Sequence, residues 1–249
     1  MKIGLFIVDD IFIKDQIIVF LNLVSSLGLD IRDFHIFIKQ PRKNNRLTNE
    51  YRDIRFPAKY YIEKIQILIM RKMLTTKLAS RWVRISNEST IHQIDSINSS
   101  TTVTLLSEQE IDIGFFINFD EIVKNDTLLK IKRTFNLHNG LLPNYRGCQP
   151  IVWQMLNNEK ISLMTLHVMT TSIDDGDIVF ECPFNINYKK GVFLNNVQSF
   201  KSIPSTLIFG LRKILYCTAP FTRQDQYKIQ TQYFKRPSAQ DTRKVYFKG

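Results

Sequence analysis

Cysteine is scarce in this 249-residue chain, and its 3 cysteines show no paired spacing. Cys148, Cys182 and Cys217 form neither a Cys-x-x-Cys redox pair nor a zinc-binding pattern. Isolated thiols of this kind favour a reduced protein over a disulfide framework. We therefore expect a cytoplasmic protein without a metal site.

Long apolar runs are also missing, since none reaches the ~18 residues that a membrane-spanning helix needs. The apolar opening stretch Ile3–Val8 is followed at once by Asp9 and Asp10, without a small-residue cleavage site. This stretch is typical of a first β-strand and not of a signal peptide. The dinucleotide-binding pattern Gly-x-Gly-x-x-Gly is absent as well. We expect no membrane partner and no dinucleotide site.

Acidic residues are few relative to basic ones, and the imbalance is local. The net charge is +11, and residues 32–84 hold 14 Lys and Arg against 4 Asp and Glu, a local balance of +10. Such a segment could bind nucleic acid, a diphosphate or a polyglutamylated folate tail. It is equally consistent with a solvent-exposed helical face that binds no ligand. For the chain as a whole we expect no nucleic-acid partner.

The chain has the alternating pattern of an α/β fold. After the strand Ile3–Val8, Asp9 or Asp10 is predicted to cap a helix whose apolar residues recur as far as Leu27 and stop at Gly28. Further strands are predicted at 34–38, 111–117, 134–138, 164–169 and 177–182, and helices at 150–157, 192–199 and 205–215. The expected fold class is α/β, a Rossmann-like, doubly wound, mostly parallel sheet with a short C-terminal β-rich tail. Residues 1–215 are predicted as the main domain and 216–249 as a small tail subdomain.

One long amphipathic helix is predicted at 60–82, after a polar loop at 41–49. Basic residues lie between its apolar positions, which are Tyr61, Ile65, Leu68, Ile69, Met73 and Leu78. We expect this apolar face to pack on the sheet. A helix lying on a membrane surface is the less common alternative for so basic a segment.

Two short segments, 135–147 and 173–178, carry the residues with the clearest chemistry. Asn136 and His138 are two positions apart on a predicted strand, so their side chains project to one face. Asp174 lies in a turn closed by Gly176, where a flexible backbone lets a carboxylate approach them. An amide, an imidazole and a carboxylate are the groups needed to move an acyl unit onto an amine without a covalent enzyme intermediate.

These two segments resemble the folate-dependent formyltransferase family, whose pattern runs Asn-x-His-x-Ser-Leu-Leu-Pro-x-Tyr-Arg-Gly and then x-Asp-x-Gly-x-Ile. The resemblance is concentrated in 111–182, and Gly140 stands where the family usually has Ser. It implies that Asn136, His138 and Asp174 are the catalytic residues, with Asn136 contacting the formyl oxygen. Asp174 either holds His138 in its working tautomer or accepts the proton of the amine, and the sequence leaves both roles open.

The resemblance further implies 10-formyltetrahydrofolate as the cosubstrate. The candidate residues for binding it are Phe115, Phe119, Leu142, Ile173 and Asp177. The short tail is most similar to that of sugar N-formyltransferases, which implies an acceptor amine on a nucleotide-linked amino-deoxysugar. The candidate residues for this substrate are Tyr145, Arg146, Tyr233 and Arg236.

Two other functions remain open at this point. One is hydrolysis of 10-formyltetrahydrofolate, in which water replaces the amine. The other is a basic RNA- or membrane-binding protein on a transferase fold, suggested by residues 32–84. A homodimer is an option left open by analogy, and His35, His92 and His167 are assigned no role.

Overall fold

The computed structural model describes residues 1–41, 51, 54–224 and 233–248, and its centre is a seven-stranded sheet. The sheet order is β3-β2-β1-β4-β5-β7-β8, where the strands are β1 Ile3–Val8, β2 Phe34–Lys39, β3 Thr90–Ile94, β4 Ile113–Ile117, β5 Arg133–His138, β7 Ile161–Val168 and β8 Ile178–Asn185. The strands from β3 to β5 are parallel, and β7 and β8 are antiparallel to their neighbours. The predicted mostly parallel, Rossmann-like sheet is confirmed.

The helices alternate with the strands along the chain. They are α1 Ile11–Leu21, α2 Ala58–Glu88, α3 Ser100–Gln109, α4 Asn125–Leu128, α5 Pro150–Leu156, α6 Val192–Phe200, α7 Ile203–Tyr216 and α8 Ala239–Val245. Asp10 caps α1, because its carboxylate accepts hydrogen bonds from the backbone N–H groups of Phe12 and Ile13. The continuous helix predicted as far as Leu27 is wrong: α1 ends at Leu21 and a separate 3₁₀ turn ends at Gly28, whose φ is 69°.

Both faces of the sheet are covered, which explains why its central strands are uninterrupted apolar runs. Leu5 and Ile7 of β1 belong to a core that α1 and α7 share. Phe6 points to the opposite face, where its ring stacks on Phe37 at 4.5 Å and on Phe116 at 4.4 Å between centroids. The alternation of side chains along a strand therefore divides the apolar residues between two cores.

The truncation Phe6→Ala should lower the free energy of unfolding by about 3–5 kcal/mol, because it removes the middle ring of a buried stack of three. Denaturation in urea with detection by circular dichroism would measure the change. Phe209→Ala is the matched control, because Phe209 is 50% exposed and its truncation should cost much less. Equal losses for the two variants would contradict this account of the core.

The long helix α2 does not pack as predicted. It spans 31 residues, and its buried side chains are Tyr60, Glu63, Leu78 and Ile85. Of the predicted apolar face only Leu78 is buried, whereas the others are exposed, namely Tyr61, Ile65, Leu68, Ile69 and Met73. The helix lies mainly against α1 and makes few contacts with the sheet. Among the described residues, no helix combines the length and apolar character that a bilayer crossing demands.

The described part of the tail packs against the main domain. The strand β9 Tyr233–Phe234 pairs in parallel with the short strand β6 Arg146–Gly147, and α8 buries Ala239 and Val245 in a cluster with α5. Within 233–248 the longer element is thus a helix, and the predicted β-rich character is limited to β9. Strand β3 is not among the strands predicted from the sequence. Positions 42–49 of the predicted polar loop lie outside the described residues.

Candidate active site

The predicted site residues lie at the carboxyl end of β5. Asn136 and His138 end this strand, which is parallel to β4 on one side and antiparallel to β7 on the other. In the β7 register, Asn136 is opposite His167 and His138 is opposite Thr165. Ligands of open α/β sheets bind at this edge, where the direction of the connections changes.

Asp174 lies in the loop between β7 and β8, and its carboxylate is the centre of the site. Oδ1 accepts a hydrogen bond from Asn136 Nδ2 at 3.3 Å, and Oδ2 accepts one from the backbone N–H of Gly147 at 2.9 Å. Oδ2 also lies 3.5 Å from His138 Nδ1. The structure therefore brings together the three side chains that the sequence singled out.

His167 is a fourth member of this cluster, and sequence reasoning missed it. Its Nε2 atom lies 3.1 Å from Asn136 Nδ2 and 3.4 Å from Asp174 Oδ1. Its side chain is 2% exposed. His167 can be identified as a site residue from its position opposite Asn136 in the sheet. That position is known only once β5 is known to pair with β7.

The hydrogen bonds fix where each imidazole carries its proton. His138 Nε2 lies 2.7 Å from the carbonyl oxygen of Tyr145, and a carbonyl only accepts, so Nε2 carries a hydrogen. By the same argument His167 Nδ1 donates to the carbonyl of Val168 at 2.9 Å. The Asn136 amide nitrogen can only donate, so it donates to His167 Nε2, and this contact fixes the orientation of the amide.

Burial lowers the pKa of His138, and the negative charge of Asp174 opposes this effect without overcoming it. The imidazole is therefore neutral near pH 7, with a lone pair on Nδ1 facing Asp174. For Asp174, burial by itself raises the pKa, but His138, His167 and the Gly147 N–H together hold the pKa well below its usual value of 3.8. The site thus contains a neutral imidazole beside a stable carboxylate.

Two of the predicted substrate-binding residues instead support the loop under the site. Tyr145 is 5% exposed, its hydroxyl donates to Glu159 at 2.8 Å, and its ring stacks on Phe234. Arg146 pairs with Asp175 at 2.5 Å and donates to Gln224 at 3.0 Å. Both side chains are engaged in these contacts, and their binding of a substrate stays a prediction.

A cavity of about 420 Å³, here called the inner cavity, opens beside the cluster. Of the predicted cosubstrate-binding residues, Phe119 and Ile173 line it. Phe115, Leu142 and Asp177 do not, and Phe115 is 0% exposed because it points to the core under α1. The next residue, Phe116, points the other way and lines the cavity instead.

A second cavity of about 690 Å³, here called the outer cavity, meets the inner one. The two share lining residues, which are Asn118, Asn139, Gln149 and Arg236. Helix α2 contributes Tyr61, Lys64 and Arg71 to its wall, and α6 contributes Phe193. Of the predicted substrate residues, Tyr233 lines the inner cavity and Arg236 lines both.

A comparison with known protein families finds a match for the part of the chain that contains this cluster. Residues 83–195 match the family model described as formyl transferase. This part of the chain is similar to the formyl transferase family. The matched segment includes Asn136, His138, His167 and Asp174.

One curated relative matches about half of the chain. The bifunctional polymyxin resistance protein ArnA of Wigglesworthia glossinidia brevipalpis is 36% identical over 127 residues. The match covers 50% of this chain and 18% of that protein, so the chain spans only a small part of the relative's length.

Solved formyltransferases share the fold of this domain. A sugar N-formyltransferase from Shewanella sp FDAARGOS_354 has a TM-score of 0.57 at 17% identity, covering 94% of this chain and 77% of its own. The N-formyltransferase from Helicobacter canadensis, solved with folinic acid and dTDP-3-aminofucose, has a TM-score of 0.55 at 20% identity. That likeness covers 97% of this chain and 72% of the other.

The substitution Asp174→Asn should make the stability less dependent on pH. Because the pKa of Asp174 is lower in the folded state, its charge stabilises the fold above about pH 4, and this contribution is lost as the pH falls through the folded pKa. Urea denaturation between pH 7 and pH 3 should therefore show the largest gap between wild type and variant at pH 7.

Asp175→Asn is the matched control for this measurement, because Asp175 is the exposed neighbour and its carboxylate pairs with Arg146 at the surface. Its gap to wild type should be smaller and nearly constant with pH. The same pH profile for both variants would contradict the assigned pKa shift.

Proposed function

We propose that this protein is an N-formyltransferase that moves the formyl group of 10-formyltetrahydrofolate onto a primary amine. The observation that carries the proposal is the convergence of Asn136, His138 and Asp174 on one cavity within the segment that matches the formyl transferase family. The folinic acid in the Helicobacter canadensis relative supports a folate cosubstrate.

In this proposal neutral His138 acts as the general base. The amine nitrogen attacks the formyl carbon, and its proton passes to His138 Nδ1, the ring atom that carries no hydrogen. The resulting imidazolium lies 3.5 Å from Asp174 Oδ2, whose negative charge stabilises it. The hydrogen bond from Nε2 to Tyr145 sets the tautomer, so the role of Asp174 is to stabilise the charge that develops on the ring.

Asn136 is assigned to the oxyanion. The new C–N bond places negative charge on the formyl oxygen, and the Asn136 amide is a neutral side-chain donor within the cluster. Its longer hydrogen bond, 3.3 Å to Asp174, is the one that the formyl oxygen would replace. Breakage of the bond to N10 of the folate then completes the transfer, and the proton held by His138 passes to that nitrogen.

The two cavities suit two substrates. The inner cavity holds the reacting cluster and the apolar walls Phe119 and Ile173, which fits the pterin and its formyl group. The outer cavity is lined by the cations Lys64, Arg71 and Arg236, which fits an acceptor with phosphates. This arrangement supports a nucleotide-linked amino sugar as the acceptor. A space of about 690 Å³ also favours transfer over hydrolysis, because water needs no such site.

The variants His138→Ala and Asp174→Asn should each lower kcat by on the order of 10²–10³-fold, because each removes a group that acts on charge developing in the transition state. Formyl transfer to the identified acceptor, followed by mass spectrometry, would measure this. His92→Ala is the control, since His92 stacks with His35 on β2, far from the cluster in the sheet order. Full turnover by either site variant would overturn the assigned roles.

The substitutions Lys64→Gln and Arg236→Gln should raise KM for the acceptor roughly tenfold each, with kcat nearly unchanged, because lost phosphate contacts weaken ground-state and transition-state binding alike. KM for the folate should not change. Lys72→Gln is the matched control, since Lys72 is an exposed lysine of α2 outside the cavity lining. An increase in the KM for folate instead would reverse the assignment of the two cavities.

Three further expectations remain predictions within this proposal. They are the cytoplasmic location, the option of a homodimer, and the boundary between the catalytic domain 1–215 and the tail 216–249.

A further inference from the structure

Helix α2 exposes a contiguous apolar surface, here called the α2 stripe, formed by Tyr61, Ile62, Ile65, Leu68, Ile69 and Met73. Each of these side chains is between 49% and 66% exposed. At 100° per residue they fall within roughly 140° of the helix circumference, so they form one surface. Single exposed apolar residues are ordinary, but a continuous surface of this kind marks an interaction site.

The charges beside the α2 stripe are almost all positive. Over Ala58–Glu88 the helix has 7 Lys and Arg against 2 Glu. Glu63 is buried, where it accepts hydrogen bonds from Tyr246 and from the backbone of Leu194, and Glu88 lies at the last position. The surface next to the stripe is therefore cationic.

Part of this charge is neutralised within the protein and part is not. Arg71 and Arg81 pair with Asp10 and Asp15 of α1. Lys64, Lys72 and Lys77 form no ion pair with any residue that the structure describes. By helical spacing Lys64 lies on one side of the α2 stripe, Lys77 lies on the other, and Lys72 lies within it.

The charge decides between the two partners that could cover such a surface. A second copy of this chain would bring one cationic helix against another, which is unfavourable. An anionic lipid surface attracts each nearby Lys or Arg, and long lysine side chains reach the headgroups while their stems remain among apolar groups.

We propose that α2 is a docking helix for an anionic membrane surface. The helix lies in the plane of the interface, with the α2 stripe inserted among the upper acyl chains and Lys64, Lys72 and Lys77 at the headgroups. Tyr61 and Lys64 also line the outer cavity, so docking brings the opening of that cavity to the lipid surface. The proposal concerns the surface alone and does not depend on formyl transfer.

The test is co-sedimentation of the full chain with lipid vesicles. Wild type should bind vesicles of phosphatidylcholine with about 30% phosphatidylserine, bind pure phosphatidylcholine much more weakly, and lose most of its binding at about 0.5 M salt. The triple variant Ile65→Gln, Leu68→Gln, Ile69→Gln should bind the anionic vesicles at least ~10-fold more weakly, because it removes the inserted groups and keeps every charge.

The double variant Leu129→Gln, Ile161→Gln is the matched control and should bind like wild type. Its two positions are also exposed, at 74% and 52%, but lie outside α2. Thermal unfolding of each variant by circular dichroism confirms that it is folded. All substituted positions are exposed, so little change in Tm is expected.

Three results would overturn the proposal. The first is that wild type does not bind anionic vesicles at low salt, and the second is that the triple variant binds them as well as wild type. The third is that light scattering finds a dimer of wild type and a monomer of the triple variant, which would assign the α2 stripe to a second copy of the chain.

Discussion

The site depends on one buried negative charge, the carboxylate of Asp174. An unpaired charge in such surroundings costs several kcal/mol, so the fold must supply partners for both of its oxygens. The Asn136 amide donates to Oδ1 and the Gly147 N–H donates to Oδ2, from two separate parts of the chain. Because these donors come from β5 and β6, the charge is satisfied only when the sheet and the following loop are both formed.

The short pairing of β6 with β9 contributes to the same arrangement. Gly147 has φ of 103°, and a Cβ atom there would lie 2.2 Å from the carbonyl oxygen of Phe234. This close approach brings the described part of the tail against the loop whose N–H binds Asp174. The tail is therefore coupled to the site through the backbone, in addition to any contact that Tyr233 or Arg236 makes with a ligand.

Sequence patterns sufficed for the elements whose signals are local. The apolar runs identified β1, β4 and β5, Asp10 was identified as a cap, and the spacing of Asn136 and His138 placed them on one face. His167 was missed because its role depends on which strand lies beside β5. Phe115 was predicted in place of Phe116 for a similar reason. Alternation along a strand shows that the two side chains point to opposite faces of the sheet, but it does not show which face contains the cavity.

Helix α2 shows a related limit. Helical periodicity shows which side chains share a face, and it predicted the α2 stripe well. What covers that face depends on the neighbours of the helix, and α1 holds the helix through Asp10 and Asp15 in an orientation that turns the stripe outward. An amphipathic pattern therefore predicts an apolar helix face reliably. It does not predict whether that face is buried within the same chain.

The backbone of Asp174 has a consequence for how this position can evolve. Its φ of 51° lies in the left-handed region, which glycine or asparagine adopts at lower cost than aspartate. Replacement by glycine would relieve this backbone strain, but it would remove the charge that stabilises the fold at neutral pH and that His138 needs when it accepts a proton. The residue at this position thus reflects a trade-off between ease of folding and chemistry, and a drift to asparagine here would indicate that the site has been retired.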